Sequence, residues 1–257
     1  MNTIDNPQQL INAAKAGNIH KLQELLPRAY AREKNKALVE AAKNGHSKCV
    51  KMLLTQCKKE KENQRAFLKA FRNGHTQCVA LLLPYYPGLE EDHLLLMEAA
   101  AKGQVDMVRI LTPVSRQRTI DDALMAAAIN GHCECAKELV GKASRVKTSE
   151  ALGRAALHGH LQIVEMLIPL SDPKSNDSKA LRDAVVGKQT QCVEVLLDVS
   201  DTQKVLTYFQ QAFPSTPYKW RFFAEMVESR SQRTMLTTVL AKPGDKESAT
   251  NRSVKKM

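Results

Sequence analysis

Apolar residues recur along the chain in two short runs separated by a polar turn. In the first run Leu38, Ala41 and Ala42 lie at i, i+3 and i+4, which places them on one face of a helix. The second run, residues 49–54, repeats this spacing after a turn at Gly45-His46. The pattern therefore predicts two short helices joined by a tight turn.

This two-helix unit is repeated at a nearly fixed period. The turn glycines are 28 or 29 residues apart, and they are Gly17, Gly45, Gly74, Gly103, Gly131 and Gly159. A short helical hairpin cannot bury its own apolar faces, whereas stacked copies bury them against their neighbours. The period predicts an array of stacked units and favours a binding surface over an enzyme site.

The consensus A-A-x-x-G-H-x-x-h-V-x-x-L-L, in which h is apolar, resembles the ankyrin repeat. Residues 41–54, AAKNGHSKCVKMLL, carry it, and the resemblance extends from about residue 8 to 199 as seven units. The family's T-P-L-H opening is absent, since residues 36–39 read KALV, and the period is shorter than the usual 33 or so. The resemblance implies an all-α, ankyrin-like helical-hairpin solenoid with shortened inter-repeat loops in place of β-hairpin fingers.

The repeat pattern and its decay divide the chain into four parts. Residues 1–33 form an N-terminal capping repeat, and residues 34–200 form six compact ankyrin-like repeats. Residues 201–240 form a degenerate C-terminal capping repeat that holds seven of the twelve aromatic residues. Residues 241–257 are a polar, basic stretch with the composition of a disordered tail.

The recurring histidines and cysteines are candidates for metal binding, but their positions argue for structural roles. His46, His75, His132 and His160 each follow a turn glycine in a different unit, so we expect them to bond backbone between units. The position of Cys49 also accepts isoleucine in another unit, which indicates packing. By contrast, Cys57 lies in a basic connector, where we expect an exposed thiol.

No motif for catalysis, for a cofactor or for a metal is present. The chain has no Gly-rich phosphate loop, no HExxH and no GxSxG sequence, so we predict that it is not an enzyme. Its start lacks the pattern of a secretory signal, and no apolar stretch approaches the roughly 20 residues that span a membrane. A cytoplasmic location is the expectation.

Positive charge is concentrated in the early repeats. Residues 28–72 contain 13 Lys/Arg and 4 Asp/Glu, whereas residues 73–200 contain 13 and 16. An acidic protein partner fits this asymmetry, and a solvated face or an anionic surface are the alternatives. Aromatic residues for base stacking are not interleaved in this stretch, which argues against nucleic acid.

The resemblance implies that a partner lies on the concave face, which is built from the first helices. Residues just before the turn glycines change from basic to apolar along the array. The predicted partner-binding residues are Lys43, Lys69, Arg72, Lys102, Ile129, Leu157 and Val186. We expect a groove with a basic early half and an apolar later half, unless neighbouring loops cover the apolar row.

The function predicted from these features is non-enzymatic protein binding by a monomer. The compact units are similar to those of some bacterial and viral ankyrin-repeat proteins, which suggests a secreted bacterial effector acting in host cytoplasm or nucleus. The alternative is nucleic-acid or anionic-surface binding through the basic N-terminal repeats.

Overall fold

The computed structural model describes residues 8–57, 60–86, 93–215 and 220–240. These residues form sixteen α-helices and contain no strand. The helices follow one another in pairs: α1 (Gln8–Lys15) with α2 (Ile19–Leu25), α3 (Ala31–Lys43) with α4 (Ser47–Leu54), α5 (Glu60–Arg72) with α6 (Thr76–Leu82), α7 (His93–Ala101) with α8 (Val105–Leu111), α9 (Gln117–Asn130) with α10 (Cys133–Val140), α11 (Arg145–His158) with α12 (Leu161–Leu167), α13 (Ser175–Val186) with α14 (Thr190–Leu197), and α15 (Thr202–Ala212) with α16 (Arg221–Leu240).

The pairs stack into two layers. In the first layer α1 packs on α3 and α3 on α5, and farther along α7, α9, α11, α13 and α15 pack in succession. In the second layer each helix from α2 to α14 contacts the next one. The fold is the all-α helical-repeat solenoid that the sequence predicts.

The residues that set the helical period form the core between the layers. Leu38, Ala41 and Ala42 of α3 are completely buried, as are Val50 and Leu53 of α4. The small alanines let the first helices of neighbouring pairs approach closely, so each pair covers the apolar faces of the next.

The turn between the two helices of a pair depends on a glycine. All six turn glycines have φ between 70° and 78°, a left-handed conformation that favours residues without a Cβ atom. The next repeat also approaches closely, because a Cβ atom at Gly45 would lie 2.6 Å from Nδ1 of His75. Glycine is therefore required at Gly45 by both the backbone angle and the available space.

The seventh pair makes this turn differently. Gly187 has an ordinary helical φ, and Lys188 takes the left-handed conformation with φ 56°. A Cβ atom at Gly187 would lie 2.1 Å from the carbonyl oxygen of Leu157 in the preceding repeat. This close contact requires glycine at position 187. The left-handed position of the turn, residue 188, is therefore occupied by a lysine, whose Cβ atom makes that conformation unfavourable.

Connectors between pairs are short, as expected for units without fingers. Four of them contain a single 3₁₀ turn with proline at its second residue, at 26–28, 83–85, 112–114 and 168–170. Proline lacks the N–H group that would continue the α-helix. After the turns that end at residues 28, 114 and 170, the next first helix begins at residues 31, 117 and 175, which accounts for the shortened period.

The division of the chain into four parts stays a prediction. Its first boundary, at residue 33, lies close to the start of helix α3 at Ala31. The basic tail at 241–257 lies outside the described residues. No helix in the described part of the chain is long and apolar enough to cross a membrane.

Candidate binding face

One row of residues runs along the first helices, two positions before each left-handed turn residue. We call it the turn-flanking row, and it consists of Lys15, Lys43, Arg72, Ala101, Ile129, Leu157 and Val186. It contains most of the predicted partner-binding residues. Lys15 is an addition that the sequence analysis missed, although the position of Gly17 in the repeat would have revealed it.

The backbone of this row is held by the repeat that follows. The imidazole Nε2 of His46 lies 2.9 Å from the carbonyl oxygen of Lys15, and Nε2 of His75 lies 2.9 Å from that of Lys43. His132 and His160 make the same contact in later repeats, each at 2.9 Å. Since a carbonyl oxygen only accepts, Nε2–H is the donor, and the predicted backbone bonding of these histidines is confirmed.

The side chains of the predicted residues are available at the surface. Lys43, Lys69, Arg72 and Lys102 are exposed, and Leu157 is half-buried. Ile129 is 38% exposed and Val186 is 58% exposed. Neighbouring loops therefore leave the apolar part of the row open.

The cations of the early repeats differ in their ion pairing. Among the described residues, Lys15, Lys43, Lys69 and Arg72 have no carboxylate partner. Lys102 is different, because its Nζ lies 2.5 Å from Oε1 of Glu98, four residues earlier in α7. The available basic surface is thus formed by the first three repeats, and Lys102 adds little to it.

Lys69 lies outside the turn-flanking row but on the same side of α5 as Arg72. The two residues are three positions apart, so their side chains are neighbours on one helix face. The early half of the face is basic, the middle is the small Ala101, and the later half is apolar.

The buried cysteines serve packing and not chemistry. Cys49, Cys78, Cys135 and Cys192 are buried at equivalent positions of the second helices, as predicted. Burial raises the pKa of the Cys78 thiol to about 11, so this thiol is protonated and unreactive near neutral pH. In the part of the chain that the structure describes, no cluster of three or more His, Cys, Asp or Glu could hold a metal ion.

The expectation for Cys57 is wrong. This residue is only 4% exposed, and burial raises the pKa of its thiol to about 11, although the Lys34 charge opposes the shift. Its backbone N–H bonds the Leu53 carbonyl at 3.0 Å, which holds this residue against the end of α4. A sequence signal exists, because Ala29 holds the corresponding position one repeat earlier and is also buried.

Comparison with known sequence families agrees with the repeat. A sequence model of ankyrin repeats (three copies) matches residues 10–93 and again 124–207. No curated protein is similar enough to count as a match. A solved structure, that of the human ASB11 ankyrin repeat domain, is 21% identical with a TM-score of 0.46, over 66% of this chain and 95% of that one. The sequence match covers well over half of the residues, and the chain belongs to the ankyrin-repeat family.

Proposed function

We propose that this protein is a non-enzymatic binding module that holds a segment of a partner protein along its first-helix face. Ankyrin repeats are generally protein-interaction modules and are typically not enzymes. The observation that carries the proposal is the turn-flanking row, in which three exposed cations are followed by an alanine and three apolar residues.

The chemistry of the row defines the partner segment. Unpaired cations favour carboxylates, so the part of the segment against repeats one to three is acidic. The exposed Ile129 and Val186 and the half-buried Leu157 between them form an apolar line that favours apolar side chains. A segment with acidic residues at one end and apolar residues at the other fits both halves.

The rigid backbone of the row supports this assignment. Each carbonyl bonded by an imidazole is fixed relative to the next repeat, so the side chains of the row project from defined positions. A surface organised before binding loses little conformational entropy when the partner binds. We propose that the protein binds as a monomer, because one array contains the whole binding face.

Selection of peptides from a random displayed library tests the proposal without knowledge of the partner. We expect the selected peptides to share an acidic end and an apolar end. Arg72→Glu and Leu157→Asp are expected to weaken their binding by roughly tenfold or more, since each places a repelling or unpaired charge in the contact. Lys48→Glu on the second-helix layer and Val146→Asp near the start of α11 are the matched controls, because both residues are exposed and lie outside the row.

The result would count against the proposal if both row variants bound the selected peptides as the wild type does. If the selected peptides lacked acidic residues, the proposal that the basic half binds the acidic end of the partner would also be wrong.

A second candidate, binding to nucleic acid or another anionic surface, is favoured by the same unpaired cations. It predicts that affinity falls steeply with salt and that Leu157→Asp has no effect. A salt titration with a random-sequence duplex distinguishes the two, because a protein-binding face should bind the duplex no better than an unrelated basic protein does.

The compact units are the feature that favours an effector of a bacterium acting in the host cytoplasm or nucleus. Expression of a tagged chain in host cells, with imaging of its location and capture of its partner, tests this part of the proposal. Capture that is lost in both Arg72→Glu and Leu157→Asp would support it.

A further inference from the structure

A cleft lies beyond the apolar half of the row, between α13 and α15. Its volume is about 320 Å³, which is at the lower end for small-molecule sites. It is lined by Asp177 and Arg182 from α13 and by Lys204, Thr207, Tyr208 and Gln211 from α15. Arg182 is four residues before Val186, so the cleft opens on the same helix face as the turn-flanking row.

The guanidinium of Arg182 is held in a fixed orientation inside this cleft. Its Cζ lies 4.3 Å from the centroid of the Tyr208 ring, and its Nη2 donates to the carbonyl oxygen of Asn176 at 2.8 Å. Its Nε is buried and has no hydrogen-bond partner among the described residues. Buried donors are almost always paired, so this free N–H group needs an explanation.

The repeat itself does not require an arginine here. Six positions before the turn residue, the first five repeats have half-buried apolar residues, which are Ile11, Val39, Leu68, Met97 and Met125, and the sixth repeat has the buried Gly153. Arg182 replaces this apolar contact with a charge that no described carboxylate neutralises. The substitution costs packing and leaves a cation free for another role.

The backbone that contacts Arg182 is strained. Asn176, Asp177 and Ser178 have φ values of 50°, 56° and 56°, three consecutive left-handed residues where only one is usual. This turn places the Asn176 carbonyl against the guanidinium and brings Asp177 to the edge of the cleft. Backbone strain of this kind is concentrated at functional sites.

Arg182 is the cation at the cleft wall that has no ion-pair partner among the described residues. Lys204 is shared between two carboxylates, since its Nζ lies 3.5 Å from Asp177 and 3.9 Å from Asp201. The two cations and two carboxylates balance in number, so what favours a ligand carboxylate is the unpaired guanidinium of Arg182 and not the net charge of the cleft.

We propose that this cleft binds a carboxylate group of the partner, with Arg182 as its ligand and Tyr208 as the support for the guanidinium. A planar guanidinium that is fixed on one face and at one nitrogen can offer the free N–H groups of its two terminal nitrogens to the two oxygens of a carboxylate. The biological meaning of this site rests on the proposed function, since the carboxylate would anchor the partner segment beyond the apolar line. It comes from an Asp or Glu side chain or from a chain terminus.

NMR titration of the isotope-labelled full chain with small probes tests the cleft directly. The probes are N-acetylglycine for a terminal carboxylate, N-acetylglutamic acid α-amide for a side-chain carboxylate, and acetamide as the uncharged control. We expect one or both carboxylates to shift the Arg182 Nε–H signal saturably at millimolar concentration, and acetamide to leave it unchanged. The tighter of the two identifies the source of the carboxylate.

Substitutions show whether a carboxylate binds in this cleft or is attracted to the positively charged protein as a whole. Arg182→Gln and Tyr208→Leu should weaken carboxylate binding by roughly tenfold, the effect of losing about one charge-assisted hydrogen bond or its support. Arg154→Gln removes an exposed arginine of α11 and should change nothing. If Arg182→Gln does not fold, Tyr208→Leu decides, because it keeps the cation.

Equal shifts with acetamide, binding of inorganic phosphate without binding of either carboxylate, or unchanged binding in Tyr208→Leu would overturn the site. These titrations use no partner protein. A negative result would therefore reject the cleft as a carboxylate site without rejecting the proposed function, which is tested separately by the peptide selection and by the Arg72 and Leu157 variants.

Discussion

The double constraint on the turn glycines can be measured with three alanine substitutions. At Gly141 φ is −68° and a Cβ atom would meet nothing within 4 Å. At Gly74 φ is 75°, but the nearest atom, Nε2 of Gln104, would lie 3.9 Å away. At Gly45 φ is 78° and the ring of His75 would lie 2.6 Å away. The difference between the Gly141 and Gly74 variants therefore measures the effect of the left-handed backbone, and the difference between the Gly74 and Gly45 variants measures the steric clash.

The expected free energies follow from these geometries. Gly141→Ala should be neutral or stabilise the protein by a few tenths of a kcal/mol, because alanine reduces the freedom of the unfolded chain. Gly74→Ala should destabilise by about 1 kcal/mol, the cost of a left-handed residue with a Cβ atom. Gly45→Ala should destabilise by roughly 3 kcal/mol, since His75 must also move and lose its bond to the Lys43 carbonyl at about 1 kcal/mol, with a similar cost for repacking.

Urea unfolding followed by far-UV circular dichroism measures these differences. The slope of the transition must be compared as well as its midpoint, because an array of repeats can lose cooperativity when one unit is weakened. The reasoning is refuted if Gly45→Ala costs no more than Gly74→Ala, because the contact with His75 would then have no energetic effect.

Three further predictions concern other features of the array. Lys188→Gly should stabilise the protein by about 1 kcal/mol in the same assay by relieving a left-handed lysine, whereas Lys188→Ala should not. Gln104→His should raise Tm for two reasons. The imidazole would fill the space over Gly74, in a cleft of about 350 Å³, and it would remove a buried amide oxygen that lacks a hydrogen-bond partner. A lower Tm would contradict this prediction. Burial raises the pKa of the Cys57 and Cys78 thiols from 9.0 to about 11, so their contribution to stability is complete below pH 9 and is lost as the pH rises toward about 11. Tm measured across this range should fall less steeply in Cys78→Ala than in the wild type.

The helices and their buried faces could be predicted because the apolar spacing decides them. Leu38, Ala41 and Ala42 lie on one face whatever the rest of the chain does, and the structure buries all three. The role of the histidines could also be predicted, because residues in successive repeats are too far apart for a shared metal site but close enough for a backbone bond.

Features that depend on the path of a connector could not be predicted from periodicity. For Cys57 the periodicity offers one signal, the apolar Ala29 at the corresponding position one repeat earlier, but the basic neighbours of Cys57 indicate exposure, and the fold shows the thiol buried. The exposure of Ile129 and Val186 depends on how closely neighbouring loops approach, which the sequence does not determine.

The cleft at Arg182 was missed for a similar reason. Its position in the repeat was visible as a charge among apolar residues, but its shape depends on the left-handed turn at 176–178. Asn and Asp tolerate that conformation without requiring it, so the sequence gives no signal for three such residues in succession.

The bond between each imidazole and a carbonyl of the preceding repeat has an evolutionary consequence. The group that holds the repeats together on this side is the main chain, which is the same for every amino acid, while the side chain of that residue faces outward. Substitution at Lys43 or Ile129 by any residue that a helix tolerates would keep the stack intact and change only the side chain that faces outward. Under the proposed function, selection could therefore change the partner one position at a time while every intermediate stays folded.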